Sequence, residues 1–237
     1  MEGVLITDGG RRLGAAMARH LGHEGRHVFV HYHHAAEAAL AVVADIIAQG
    51  GQATPMQADL ADSAAVLQLY QRCEAICPVG LLINSASHSD HDTAATVSPA
   101  GLEAHLHINL HAPALLTHSL HGALTARGAQ GVAINIVDNR VFNLNPEYFS
   151  YSLSKTALQS MLQMQAITLA PTVRVAGLAP GLKLISDEPP SAVKGGALQN
   201  FLHGVDFILA NPAYHGQTIV IDDDQGSQHQ PHATRPF

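Results

Sequence analysis

The sequence predicts an α/β fold built on one doubly wound parallel sheet flanked by helices. Three observations predict it. Short apolar runs alternate along the 237 residues with longer stretches in which apolar residues recur at helical spacing. The runs are apolar almost throughout rather than alternating with polar residues, as expected of strands covered on both faces. A glycine-containing turn, Thr7-Asp8-Gly9-Gly10-Arg11-Arg12-Leu13-Gly14, directly follows the first run and opens the first helical stretch. That is where a sheet of this kind binds its ligands.

Taken in order, Val4–Thr7 predicts the first strand and Leu13–His23 the first helix. His27–Tyr32 and Ala35–Gln49 repeat the pattern. Gln52–Gln57, Leu81–Asn84, Val132–Val137, Val173–Leu178 and Thr218–Ile221 continue the strands, and helices are expected near Ser63–Ile76, Gly101–Thr125 and Tyr148–Leu169. No internal repeat or linker divides the chain, so residues 1–225 are expected to form a single Rossmann-type domain. Residues 226–237, with Gly226, Ser227, two histidines and two prolines, read as a loose tail.

Composition narrows the function. Hydrophobic residues make up 47% of the chain and charged ones only 13%, which argues for a compact globule. A formal net charge of −7 makes nucleic acid an unexpected partner. Cys73 and Cys77 lie one helical turn apart without zinc-type spacing around them, and read as packing side chains in a reducing compartment. The Ala-rich stretch Ala35–Ala48 is interrupted by Glu37 and Asp45 and is too short to span a membrane. No signal-peptide pattern opens the chain, so a cytoplasmic protein is expected.

The glycine turn suits a pyrophosphate. Glycines let the backbone approach it, and the following helix offers free N–H groups and a positive dipole end. Arg11 and Arg12 add cations. The second strand ends in His31-Tyr32-His33-His34, with no acidic residue to hold a ribose 2′-hydroxyl. Arg12 and the histidines suit a 2′-phosphate instead, which favours NADP over NAD. Asp8 opposes this. A carboxylate beside a pyrophosphate costs on the order of 1–3 kcal/mol, tenfold or more in affinity, unless an arginine pairs with it.

Tyr151 and Lys155 form the candidate reaction centre. They lie four residues apart, so on a helix they share one face. A nearby ammonium favours the phenolate and makes the tyrosine a usable proton donor near neutral pH.

Over nearly its whole length the chain resembles the short-chain dehydrogenases/reductases. The matching pieces are Thr7–Gly14, Asp59-Leu60, Asn84-Ser85-Ala86-Ser87, Asn109, Tyr151 with Lys155, and Pro180-Gly181, in the family's order and spacing. Within that family it is most similar to the pteridine reductases, including the dihydromonapterin and dihydrofolate reductase branch. Arg11-Arg12-Leu13-Gly14, the His31-Tyr32-His33 strand end and Asp138 carry this likeness. Asp138 stands where most of the family has the catalytic serine.

The resemblance implies a set of roles. Thr7, Arg11, Arg12, Leu13, Tyr32, His33 and His34 would surround the phosphates of NADP(H). Asp59 and Leu60 would meet the adenine. Asn84, Ala86 and Ser87 would line the ribose and nicotinamide approach, and Pro180-Gly181 would close over the carboxamide. Lys155 would hold the nicotinamide ribose and tune Tyr151, while Asn109 would hold a water that extends the proton path. Asp138 and Tyr151 would deliver a proton to a pterin ring nitrogen, which asks a raised pKa of a buried Asp138. Arg12, Ser87, His88, Ser89, Asp138 and Tyr151 would form the substrate side. A homotetramer or homodimer is implied, assembled through the Gly101–Thr125 and Tyr148–Leu169 helices.

Departures from the subfamily qualify these roles. Asp8 replaces the first glycine of the turn, and Asp222-Asp223-Asp224 stands where relatives usually have Asp-Gly-Gly. Ser89 replaces an aromatic residue that stacks on the pterin, a contact worth about 0.5–1.5 kcal/mol; His88 is the candidate substitute. The stretch from Pro180 to Gly216 is short, so Ser186–Gln199 must supply any lid, with Pro189-Pro190 and Gly195-Gly196 limiting helix there. His107, His111 and His118 fall near one helix face, and His20, His23 and His27 cluster in sequence, but neither set matches a recognised ligand pattern and no metal is expected. Three functions follow: an NADPH-dependent reductase of a pterin-like heterocycle; the same fold with weakened cofactor binding, doing non-redox chemistry or binding a pterin-like ligand; or a structural subunit of a mixed oligomer.

Overall fold

A computed structural model describes residues 2–142, 144–181, 184 and 196–221, with the backbone alone at Arg140. The Asp222–Asp224 run, the tail from 226, and most of the expected lid, including Pro189-Pro190 and Gly195, lie outside the described residues. Within them the strands are β1 (Gly3–Ile6), β2 (His27–Tyr32), β3 (Gln52–Gln57), β4 (Val79–Asn84), β5 (Gly131–Ile136), β6 (Val173–Ala179) and β7 (Thr218–Val220). They form one parallel sheet in the order β3-β2-β1-β4-β5-β6-β7. The chain winds outward from β1 to β3, then returns to lay β4 on the other side of β1. The crevice at the carboxyl ends of β1 and β4 is therefore the topological switch point.

Strand residues alternate between two cores. Val4, Ile6, Leu81 and Ile83 face α1 (Arg12–His23), α2 (Ala36–Ala48) and α7 (Ala197–Ala210). Leu5, Leu82, Val173 and Val175 face α3 (Ser63–Ile76), α5 (Ala112–Ala126) and α6 (Phe149–Leu169). Burial on both faces is why β1, β4 and β6 read as largely apolar runs. Pro55 cannot donate to a ladder and sits in β3, the edge strand beside β2. Among the described residues no helix is long and apolar enough to cross a membrane.

Two differences from the sequence-based elements matter for the site. The helical stretch expected over Gly101–Thr125 is α4 (Pro99–Leu106), a π-helical turn over His107–His111, and α5. Pro113 cannot donate to the Asn109 carbonyl four residues back, so the α ladder is interrupted there. Helix α7 replaces the end of the expected lid. Ala197, Phe201, Leu202, Val205 and Ile208 carry its buried face at helical spacing. The glycines that were expected to limit helix instead precede its start, with Gly196 at φ 76° as the residue before it.

Candidate active site

The carboxyl ends of β1, β4 and β5, with the starts of α1 and α6, enclose a cleft of about 400 Å³. Asp8, Arg11, Arg12, Leu13 and Gly14 line one end. Asp138, Tyr148, Tyr151 and Lys155 line the other, with Ser85, Ser87 and Ser89 between them.

At the first end, the hydroxyl of Thr7 accepts hydrogen bonds from the Ser85 and Ala86 N–H groups, both at 2.9 Å. Thr7 thus leaves the strand it was expected to end and ties the turn to the exit of β4. Asp8 and Arg12 both adopt left-handed backbone, at φ 52° and 48°. That conformation costs an L residue roughly 1–2 kcal/mol, with Asp more tolerant than most. Gly14 is required by space, since a Cβ there would lie 2.2 Å from the Asp8 carbonyl oxygen. Helix α1 begins with no side-chain cap from Arg11 and no acidic residue in its first turn, the kind of helix start that suits an anion. The carboxylate of Asp8 accepts from Arg11 Nε at 3.2 Å and from Nη2 at 3.4 Å, the pairing that the turn needs to offset its charge. Burial pushes the Asp8 carboxyl upward, against the opposing pull of Arg11 and then Arg12.

Several expected cofactor residues lie around this end without lining the cleft. His33 and His34 are exposed beyond β2, their rings 3.5 Å apart. His33 Nε2 is 3.8 Å from the Asp59 carboxylate, which accepts from the Ala61 N–H. Tyr32 packs against the α1 side of the core and Leu60 is buried on the α3 side. Pro180 and Gly181 are buried just past β6.

At the other end, Asp138 is fully buried and accepts a 2.5 Å hydrogen bond from the Tyr151 hydroxyl. The α6 periodicity brings Ser150, Tyr151, Ser154 and Lys155 to its buried face. Asp92 fixes the start of that helix, accepting from the Ser150 N–H at 3.0 Å and from its hydroxyl at 2.5 Å. The Lys155 ammonium donates to the Ile136 carbonyl at 3.0 Å and lies 5.9 Å from the centre of the Tyr151 ring. Burial pushes it down to about 8, with Asp138 pulling the other way. Asn84 donates to Asn135 at 2.9 Å across β4 and β5. Among the described residues, Asn84 Oδ1 and Asn135 Nδ2 are buried without a hydrogen-bond partner, a state that buried polar groups seldom keep without a bound molecule or water.

Two expected residues lie outside the lining of the cleft. Asn109 is wholly buried, and its amide clasps the His88 backbone and the Ser154 hydroxyl. The His88 ring does not line the cleft; it lies 4.5 Å from the His105 ring, with Nε2 3.3 Å from Asp90. Besides Tyr151, the aromatic residue that lines the cleft is Tyr148. Its spacing of three from Tyr151 was the available signal. Of the other histidines, His107 and His111 lie with ring centres 4.9 Å apart and planes tilted by 46°. His20 gathers Glu24 and Asp206, with Nε2 2.6 Å from Asp206 Oδ1.

Comparison with known proteins agrees with this geometry. The short chain dehydrogenase family profile matches residues 2–186. Dihydromonapterin reductase of Enterobacter sp. (strain 638) is 31% identical over 201 residues, covering 84% of this chain and 81% of that protein. Dihydromonapterin reductase of Citrobacter koseri is 28% identical over 234 residues, covering 92% and 94%. Among solved structures, FolM alternative dihydrofolate reductase 1 from Brucella canis complexed with NADP superposes with a TM-score of 0.84 at 33% identity, covering 93% of this chain and 92% of that one. The switch-point cleft, the Tyr151/Lys155 face and the profile match together establish that the chain belongs to the short-chain dehydrogenase/reductase family.

Proposed function

We propose that the chain is an NADPH-dependent reductase of a pterin or a related heterocycle. The observation that carries this reading is the buried Asp138–Tyr151 hydrogen bond at the cleft wall, opposite a dinucleotide-type turn. The dihydromonapterin reductase relatives and the NADP-bound structural neighbour support it.

The residues fit the cofactor. The start of α1 without a side-chain cap suits a pyrophosphate, and the Asn84 and Asn135 atoms left without a partner among the described residues would offer an acceptor and a donor near the nicotinamide end. Bound NADPH supplies the hydride. Arg12, His33 and His34 hold the 2′-phosphate side, and Arg11 restrains Asp8. Tyr32, Asp59 and Leu60 shape the adenosine end, and Thr7 with Ala86 fixes the turn. Asn84, Pro180 and Gly181 frame the nicotinamide end, and Leu13 lines the phosphate side. Ser87, Ser89 and Tyr148 form the substrate shelf, where Tyr148 supplies the aromatic surface that Ser89 lacks. Tyr151 and Asp138 hold one proton between their oxygens and pass it to a ring nitrogen. The Lys155 ammonium then stabilises the phenolate left behind. Asn109 serves by fixing the His88 backbone and Ser154, beside any water its carbonyl holds.

Titration of the purified protein with NADPH and NADH tests this reading. NADPH is expected to bind at least about tenfold more tightly, because only it offers a 2′-phosphate to Arg12 and the histidines. No binding of either at millimolar concentration would sink the reductase reading. A second reading, favoured by the Asp8 carboxylate at the cleft wall, is the same fold with cofactor binding weakened; it predicts that result.

The value near 8 for Lys155 sets a pH dependence. Deprotonation removes the charge that stabilises the phenolate, so kcat/KM is expected to fall as pH rises through about 8. Stability from this group runs the other way. The unfolded lysine titrates near ~10.4, so between the two values the unfolded chain binds more protons and stability rises with pH. A pH profile of kcat/KM beside thermal melts at the same pH values checks both signs.

Leu153, Met164 and Ile167 lie along the outer face of α6, with Ile167 83% exposed. This apolar stripe supports a homodimer or homotetramer closed over α6. Ile167→Glu is expected to shift the protein to a monomer in size exclusion with light scattering.

A further inference from the structure

We infer that His31 is a positioning residue for the cofactor turn, a latch whose two ring nitrogens hold the Asp8 backbone to the exit of β3. Its consequence for binding rests on the proposed NADP(H) reading; its geometry does not. His31 points inward from β2 and is 2% exposed. The Asp8 N–H donates to His31 Nδ1 at 3.1 Å. A backbone N–H can only donate, so Nδ1 carries no proton. The proton of the neutral ring is then on Nε2, which lies 3.2 Å from the Ala58 carbonyl and donates to it. Burial pushes the imidazole down to about 4, so this tautomer holds at neutral pH.

The main chain adds two bonds around the ring. Gly9 N–H donates to the His31 carbonyl at 2.9 Å, and Ala58 N–H to the Tyr32 carbonyl at 3.1 Å. One side chain therefore joins three segments: the phosphate turn, the β2 end carrying His33 and His34, and the β3 exit leading to Asp59. The turn needs such a partner. Asp8 is left-handed at φ 52°, a conformation that Asp tolerates and does not favour. Without an acceptor at Nδ1, its N–H would be left unpaired beside a buried ring, and the turn would lose its hold.

Three variants separate the two nitrogens. His31→Asn places an amide oxygen near the Nδ1 position and keeps the acceptor. His31→Gln reaches toward the Nε2 position and keeps the donor to Ala58. His31→Phe keeps the volume and neither bond. The Kd for NADPH is expected to rise about tenfold in the Gln and Phe variants and to stay within about threefold in the Asn variant. With saturating NADPH, kcat is expected to remain that of the parent. Without cofactor, hydrogen exchange at the Asp8 amide is expected to quicken in the Gln and Phe variants only. A purely structural role would lower Tm in all three and leave Asn and Gln alike. If the Phe variant fails to fold, the Asn–Gln contrast decides. Equal Kd and equal Asp8 exchange in the Asn and Gln variants would overturn the latch. If the parent protein binds no NADPH, the reductase reading fails, while the exchange contrast still tests the latch.

Discussion

Asp8→Gly is expected to bind NADPH at least about tenfold more tightly than the parent chain. Two effects combine. Glycine takes the left-handed backbone of this position without penalty. It also removes a carboxylate from the wall where the pyrophosphate is expected, and releases Arg11 from its pairing at 3.2 Å to face that phosphate. Asp8→Asn separates the two, because asparagine tolerates the backbone as well as aspartate does and carries no charge. Equal tightening in both variants assigns the effect to charge. Unchanged affinity in both would mean that Arg11 already neutralises Asp8 fully. Titration calorimetry with NADPH reads the result directly.

Tyr151→Phe is expected to lower kcat by about 10²–10⁴-fold while leaving the Kd for NADPH unchanged. The ring volume is kept, and the lost hydroxyl is the one that donates to Asp138. Asp138→Ala is expected to give a loss of similar size. If the two oxygens act on one proton as a unit, the double variant is no slower than either single variant. Fully additive losses would show that the two groups contribute independently and do not share one proton.

Much of this arrangement was legible in the chain. The ranges of β2, β3 and α3 match the sequence reading residue for residue; β2, buried along its middle, and α3, capped by Asp62, leave strong local patterns. Tyr151 and Lys155 share a helix face as their spacing requires. What the sequence concealed depends on approach in space. Helix α7 had the spacing of a helix, but its neighbouring glycines read as breakers. The position of Tyr148 in the cleft depends on Asp92, which pins the start of α6 from 58 residues away. His88 was the nearer candidate in sequence, yet the π turn around Asn109 clasps its backbone and its ring lies against His105. The part played by His31 depends on β2 lying beside both β1 and β3, a pairing no local motif records.

The most direct test of the whole account is the rate of NADPH oxidation by the purified chain on addition of a dihydropterin. The account predicts consumption of NADPH that depends on the pterin, saturates with it, and is lost in Tyr151→Phe. Tight NADPH binding with no pterin-dependent oxidation would contradict it.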